Sequence, residues 1–367
     1  MKQRVRIGII GAGWVAHERH LPALSALPEV KLEVIWSRDG QNARKLASEW
    51  NISSVAEDWK EIIASETVDA VVVATPPVLH HEVCLGALRS GKHVLCQARL
   101  SRNLKEALEM VRASEQSGLV TALYPARPGL KGDRVVRRLL HDENYIGEVT
   151  EVRVSGLTKA DPGDDYTWVS DPGVVGINAM TLGMWAEVLN RWLGPAKHVT
   201  ATGKNHIKQV RSRNGDWQSA TVPDSLAVAA ELECGALATY HFSTSAQFAP
   251  NQSITIHGNK GALKYDFFPD VLRGASGSDQ ELRPIEIAPA EERTQDTDQQ
   301  FVRAILDGDS VRPDFEEGRR YVEFCEAVAW SLYTKTTVSL PLAGPLMEHW
   351  GKCLAEANKA DRPETPR

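Results

Sequence analysis

The residues with the most chemistry in them lie near the start of the chain. Val5-Arg6-Ile7-Gly8-Ile9-Ile10 reads as an apolar strand and runs directly into Gly11-Ala12-Gly13-Trp14-Val15-Ala16, a Gly-x-Gly-x-x-Ala turn that can open a helix. Gly11 permits the tight turn, Gly13 removes the Cβ that would block a pyrophosphate, and small Ala16 lets the helix pack close to the strand. Backbone N–H groups from Gly13 through Trp14 and Val15, with the positive end of the helix dipole, would then meet phosphate charge. A plain strand-to-helix turn has the same spacing, but the strand before it and the helix after it point to dinucleotide binding. The end of the next strand bears on which dinucleotide. An acidic residue there binds the ribose 2′-OH, whereas an Arg accommodates a 2′-phosphate. In Trp36-Ser37-Arg38-Asp39, Ser37 and Arg38 favour NADP, while Asp39 leaves NAD open.

These groups must be held by a regular frame, and its elements are legible. Strands are expected over Leu32–Trp36, Val68–Ala74, His93–Cys96 and Leu119–Leu123, with helices over residues 37–50 and 79–89 and a third capped by Asn103 and stopped before Gly118. The run Val68–Ala74 is almost unbroken apolar sequence, the mark of a parallel strand buried on both faces. Strand and helix alternate, so residues 1–124 form an α/β, doubly wound, Rossmann-type domain. From Gly147 the pattern changes. Residues 148–155 alternate, 226–233 and 236–243 flank Cys234-Gly235, and 253–257 and 262–267 flank Gly258-Asn259-Lys260-Gly261. Alternation with short glycine turns signals antiparallel hairpins. Residues 125–358 are therefore an α+β domain, with helices at 179–192 and 297–306, a surface excursion over 273–290, and a tail at 359–367.

Two stretches, Ala74-Thr75-Pro76-Pro77-Val78-Leu79-His80 and Ser90-Gly91-Lys92-His93-Val94-Leu95-Cys96, resemble the glucose-fructose oxidoreductase and inositol dehydrogenase family, Gfo/Idh/MocA. Arg312-Pro313-Asp314-Phe315-Glu316-Glu317-Gly318, with Ala327, Ser331 and Val338-Ser339-Leu340, is similar to the family's closing helix and strand. The resemblance implies a Rossmann domain joined to a second domain with a large, mostly antiparallel sheet. It also implies hydride transfer between a nicotinamide cofactor and a hydroxyl carbon of a sugar, cyclitol or related polyol. Thr75, Pro76, His80 and Gln97 fall on family positions at the cofactor. The open face of the second sheet is where such proteins associate, implying a homodimer or homotetramer.

Two departures from the family pattern bear on the chemistry. The Glu-Lys-Pro that usually ends the strand is Gln97-Ala98-Arg99 here, so the position of the catalytic Lys holds a methyl group. Arg99 can hold an oxygen or an anion but stays protonated and is a poor base. The family's catalytic His falls in Gly173–Trp185 on Asn178 or Met184, according to register, and Val174 takes an Asp position. Proton removal by a poised group is typically worth about 10²–10⁴-fold, so other groups must be considered. Arg99 and Asn178 are the family-position candidates. Tyr124, with Arg127 close behind, follows a strand where the family's sheet ends over the nicotinamide. Asp165 and Trp168 resemble the loop that relatives place over a sugar, since carboxylates grip hydroxyls and an indole covers an apolar sugar face. Thr181 and Trp185 follow Asn178 and would line the same pocket, and His241 ends a strand of the second domain.

Bulk properties narrow the classes. The 367 residues suffice for two cores, and 42% hydrophobic and 25% charged residues with a net charge of −6 are ordinary for a globular protein. That balance, without a basic block, argues against nucleic-acid binding. No apolar stretch approaches a membrane span and the first strand begins within a few residues, which reads as a cytoplasmic protein without a membrane partner. Cys84, Cys96, Cys234, Cys325 and Cys353 lack CxxC spacing and read as reduced thiols, with no metal expected. Three functions fit: an NAD(P)-dependent polyol dehydrogenase or reductase, an enzyme whose transient oxidation ends in net isomerisation, elimination or glycoside cleavage, or a cofactor-binding regulator that has lost catalysis.

Overall fold

The computed structural model describes residues 4–125, 130–158, 172–176, 182–211, 215–220, 222–249, 252–293 and 296–345. It divides into two compact units: unit 1 is Met1–Ala126, Gly173–Gly176 and Gln295–Val322, and unit 2 is Arg127–Pro172, Ile177–Thr294 and Glu323–Arg367.

Unit 1 is built on six parallel strands, β1 (Val5–Ile10), β2 (Val30–Trp36), β3 (Ser54–Val55), β4 (Ala70–Val73), β5 (His93–Gln97) and β6 (Thr121–Tyr124), in the order β3-β2-β1-β4-β5-β6. This is the doubly wound order expected of a dinucleotide fold. All four residues of β4 are fully buried, as its unbroken apolar run requires. Helical turns Ala16–His20 run on into α1 (Leu21–Ser25), and the crossovers continue with α2 (Gly40–Glu49), α3 (Trp59–Ala64), α4 (His80–Arg89) and α5 (Leu104–Ser117). Side chains start three of them: Asp39 accepts from Gln41 N, Asp58 from Lys60 N and Asn103 from Glu106 N. Gly118, left-handed at φ +65°, stops α5.

The division at residue 124 expected from sequence differs from the structure in one respect. Unit 1 also holds α7 (Pro172–Val175) from Gly173 on, α9 (Thr297–Asp307) and the opening turns of α10 (Phe315–Thr334). Helix α9 buries Phe301, Val302 and Ala304 in one apolar cluster with Ile7, Ile9, Leu21, Leu24 and Leu46. An amphipathic pattern says that a helix has an inner face, not which sheet receives it.

Unit 2 carries a nine-stranded sheet in the order β16-β15-β14-β13-β7-β12-β11-β8-β17. Its strands are β7 (Val149–Leu157), β8 (Ala196–Lys204), β11 (Ser225–Leu232), β12 (Leu237–Ser243), β13 (Ser253–Gly258), β14 (Gly261–Asp266), β15 (Val271–Ser276), β16 (Arg283–Pro284) and β17 (Val338–Ser339). A separate pair is formed by β9 (Gln209–Arg211) and β10 (Trp217–Ser219). Among the described residues, only β7 and β12 pair in parallel within the large sheet. The surface excursion expected over residues 273–290 is therefore partly strand. Register with β14, which sets Lys264 beside Arg273 and Leu263 beside Gly274, overrides the weak strand preference of a Gly- and Ser-rich run.

One sheet face is a core roofed by α8 (Leu182–Leu193): the Trp185 ring lies 4.1 Å from Phe267 and that of Trp192 5.7 Å from Tyr265, centroid to centroid. Thr200, Ala229, Thr239 and Arg153 stand side by side in register on the other face, all exposed. Period-2 alternation thus places small and polar residues outward.

The core also holds a charge cluster. Asp133, which begins α6 (Asp133–Arg137), is 3% exposed and accepts from Arg191 Nε at 2.9 Å, Trp192 Nε1 at 2.8 Å and Arg293 Nη1 at 3.1 Å. Burial alone would raise its carboxyl, but the two guanidinium groups outweigh burial and hold it below the ordinary carboxylate range. Removing one partner of a buried pair typically costs about 3–5 kcal/mol, because the remaining charges stay buried and uncompensated. Asp133→Ala should lower stability by about that amount in urea unfolding. A carboxyl depressed in the fold contributes fully above its unfolded pKa of about 4. That contribution should disappear as pH falls through the depressed folded value, so the gap between wild type and Asp133→Ala narrows in acid and is widest near neutrality.

Candidate active site

The turn after β1 is pinned from two sides. Gly11 N donates to Trp36 O at 2.7 Å at the end of β2, and Ala74 N, just past β4, donates to Ile10 O at 2.8 Å. Gly11 sits at φ +116°, and a Cβ on it would lie 2.5 Å from the Ala74 carbonyl oxygen, so this position accepts only glycine. Gly13 is different. A Cβ there would meet nothing within 4 Å, so its absence leaves space open above the turn rather than relieving a contact inside the protein. Ala16 is fully buried, as close packing of the following helical turn requires. Trp14 projects outward, 64% exposed, with the Arg19 guanidinium 5.4 Å from its ring centroid, and Val15 is half-buried.

At the end of β2, Ser37 is half-buried and Arg38 exposed, and Asp39 has one carboxylate oxygen engaged on Gln41 N at 3.0 Å as the cap of α2. After β4, Thr75 is 8% exposed and its hydroxyl is buried without a hydrogen-bond partner among the described residues. Buried polar atoms are rarely left so, and such an orphan beside an open turn is what a ligand would satisfy. Pro76 is half-buried and precedes a short turn of Pro77–Leu79. The open space over Gly13 and the orphaned Thr75 hydroxyl both fit a dinucleotide.

His80 has another task than the cofactor contact expected for it. It is fully buried, with Nε2 2.7 Å from the Thr75 carbonyl and Nδ1 2.7 Å from the Arg99 carbonyl. Burial pushes its pKa down against the pull of these carbonyls. With both nitrogens on backbone, the ring braces the loops after β4 and β5 from within and has no atom left for a ligand. Gln97 ends β5 opposite Tyr124, and Ala98 N donates to Tyr124 O at 2.9 Å. The Ala98–Arg99 peptide is cis. Arg99 is half-buried, and Leu100 N donates to the Tyr321 hydroxyl.

Three expectations are corrected by burial and direction. Tyr124 is 3% exposed and packs against His20, ring centroids 4.4 Å apart, with its hydroxyl buried and without a hydrogen-bond partner among the described residues. Its pKa is pushed up by burial first and by the nearby Asp298 carboxylate second. Trp185 is fully buried among Phe242 and Phe267 and is core, not pocket wall. His241 is exposed on the outward face of β12, while its neighbours Tyr240 and Phe242 point to the core. Of the other candidates, Arg127, Asp165, Trp168, Asn178 and Thr181 lie outside the described residues.

Two features escaped sequence reading. His20 and Asp298, fully buried, meet at 2.7 Å across 278 residues, where no local motif could reveal them. Gly176, within the Gly173–Trp185 stretch, sits at φ +68° with the Arg102 carbonyl 1.9 Å from where its Cβ would be. Glycine is therefore obligatory two residues before Asn178.

Comparison with known proteins places this geometry. A model described as the oxidoreductase family, NAD-binding Rossmann fold, matches residues 5–124, and the GFO/IDH/MocA C-terminal domain matches residues 134–264. The levoglucosan dehydrogenase of Pseudarthrobacter phenanthrenivorans is 24% identical over 395 residues, spanning 92% of this chain and 99% of its own. A scyllo-inositol 2-dehydrogenase (NADP(+)) of Bacillus subtilis is 34% identical over 146 residues, 40% of this chain and 44% of its own. Among solved structures, levoglucosan dehydrogenase in complex with NADH and levoglucosan superposes with a TM-score of 0.82 at 21% identity, covering 93% of this chain and 100% of that one. An oxidoreductase domain protein from Kribbella flavida gives 0.81 at 22% identity, with the same coverage of 93% and 100%. These superpositions speak for a shared fold.

Gly13 and Thr75 give a paired prediction. Gly13→Val should leave the unfolding midpoint nearly unchanged, because the space is open, yet abolish calorimetric titration by NADP and NAD. Thr75→Val should hold or raise the midpoint, since it removes an unsatisfied buried hydroxyl, while weakening both cofactors. Undiminished binding by either variant would remove the cofactor from this turn.

Proposed function

The chain belongs to the Gfo/Idh/MocA family of oxidoreductases, and from that membership we propose that it moves a hydride between a nicotinamide cofactor and a hydroxyl carbon of a sugar, cyclitol or related polyol. The observation that carries this reading is the open turn at Gly13 beside the orphaned Thr75 hydroxyl. The Gly11–Val15 turn would hold the pyrophosphate, Ser37 and Arg38 the adenosine ribose, and Thr75, Pro76 and Gln97 the far half of the cofactor. When bound, the nicotinamide supplies a site that accepts or returns a hydride. Arg99, at the end of β5, orients a substrate oxygen and steadies the charge that builds on it. It takes no proton, because a guanidinium stays charged at ordinary pH. Asn178, Thr181, Arg127, Asp165 and Trp168 supply the remaining substrate contacts. We assign the exposed face of the nine-stranded sheet, including His241, to self-association, and the cytoplasm as the compartment; no helix among the described residues is long and apolar enough to cross a membrane.

NADP is the better fit of the two cofactors, because Asp39 spends an oxygen on capping α2 while Arg38 stands exposed beside it. A charge-assisted contact of this kind is typically worth about 1.5–3 kcal/mol, or roughly 10- to 150-fold in affinity. Arg38→Ala should weaken NADP by that factor and leave NAD within about twofold. Equal loss for both would return Arg38 to a surface role.

Activity is to be read from nicotinamide absorbance against a panel of polyols and aldoses. Wild type should turn over at least one, and Arg99→Ala should lower kcat by about 10²–10³-fold, the usual cost of losing a donor to a developing oxyanion. Ala98→Lys should bring no gain, since it would set a second cation beside Arg99. A gain would mean that the ancestral mechanism had only lapsed. Tight cofactor binding with no turnover on the whole panel would favour the regulatory reading, to which the methyl group at Ala98 also lends weight.

A further inference from the structure

The first turns of α10 are pinned to the sheet of unit 1. Asp314 accepts from Glu317 N at 2.9 Å while Glu317 accepts from Asp314 N at 2.9 Å, a reciprocal capping box that starts the helix. Just before it, Pro313 O accepts from Leu123 N in β6 at 2.8 Å. Gly318 then lets the helix lie against the segment that follows β5: a Cβ there would stand 2.8 Å from Leu100 Cδ2 and 3.1 Å from Leu123 Cδ2. Tyr321, three residues on, shares that helix face. It is 2% exposed, and its hydroxyl accepts from Leu100 N.

This bond acts on the residue next to Arg99. The family pattern has Pro at that position, whose ring fixes φ by itself, whereas Arg99 leaves the backbone to be held by its neighbours. The Arg99 carbonyl, 2.7 Å from His80 Nδ1, is held on one side, and the Leu100 amide is held on the other by Tyr321. A side chain as long as arginine's meets its target in one geometry only when the backbone it starts from is fixed.

We propose that Tyr321 is the positioning residue for Arg99, holding the Leu100 amide so that the guanidinium meets a substrate oxygen in one geometry. The inference rests on the role given to Arg99 above and extends it to a buried side chain that acts through the backbone. Tyr321→Phe keeps the ring and removes the hydroxyl, leaving the Leu100 N–H without this acceptor.

The test joins hydrogen exchange at the Leu100 amide to steady-state kinetics with NADP and the fastest substrate of a panel that includes D-glucose, D-sorbitol and myo-inositol. Tyr321→Phe should speed the exchange about tenfold or more. It should lower kcat about 10- to 100-fold, the scale of a displacement of about 1 Å at the reacting groups, and leave calorimetric NADP affinity within about twofold. In an Arg99→Ala background the same substitution should change kcat by less than about twofold, because the group it positions is gone. Gly318→Ala, which pushes the helix off Leu100 and spares the hydroxyl, should repeat this pattern and decides the matter where Tyr321→Phe does not fold. Equal losses in the two backgrounds, no loss of kcat, or unchanged exchange at Leu100 overturns the role of Tyr321 while leaving the enzyme reading in place. Wild type that turns over nothing in the panel overturns the dehydrogenase reading and this inference together.

Discussion

The approach of the Gly11 backbone to the Ala74 carbonyl is the constraint on which the rest of the site depends. With 2.5 Å between that oxygen and the place of a Cβ, no side chain fits, and the turn can be reached only because β1 and β4 end side by side in a parallel sheet. Closing the turn so tightly fixes the direction in which the chain leaves it. The helical run from Ala16 then packs flush on the sheet, and the next free backbone, at Gly13, faces open space instead of protein. One close contact thus converts an ordinary strand end into a surface on which phosphate can lie.

A second brace acts one layer further along. His80 reaches from α4 to the carbonyls of Thr75 and Arg99, so the loops after β4 and β5 cannot move independently without breaking a buried hydrogen bond. Loss of the usual Lys at Ala98 did not dissolve that arrangement. The loop keeps its tie to Tyr124 through Ala98 N and its tie to Tyr321 through Leu100 N. Three separate ties thus hold the loop that carries Arg99.

Legibility from sequence followed the range of the interactions involved. The Gly-rich turn, the apolar run of β4, the cap Asn103 and the hairpins of unit 2 are local, and each was readable from a window of a few residues. What was hidden is non-local or directional. Tyr124, Trp185 and His241 have side chains suited to a polar pocket, but burial and the two-residue alternation of a strand decide where they point, and both depend on the partner packed against them. The union of α9 with unit 1 and the meeting of His20 with Asp298 likewise come from partners far along the chain, whereas the strand over Val271–Ser276 is settled by its hairpin neighbour β14.

The same reasoning limits where the proton of a substrate hydroxyl can go. At the ends of the strands in unit 1, His80 is enclosed by carbonyls with its pKa lowered by burial, Tyr124 is buried with its pKa raised, Ala98 carries only a methyl group, and Arg99 keeps its charge. Neither Ala98 nor Arg99 is a base near neutral pH. Oxidation of a hydroxyl carbon therefore needs a proton acceptor from outside the Ala98-Arg99 segment.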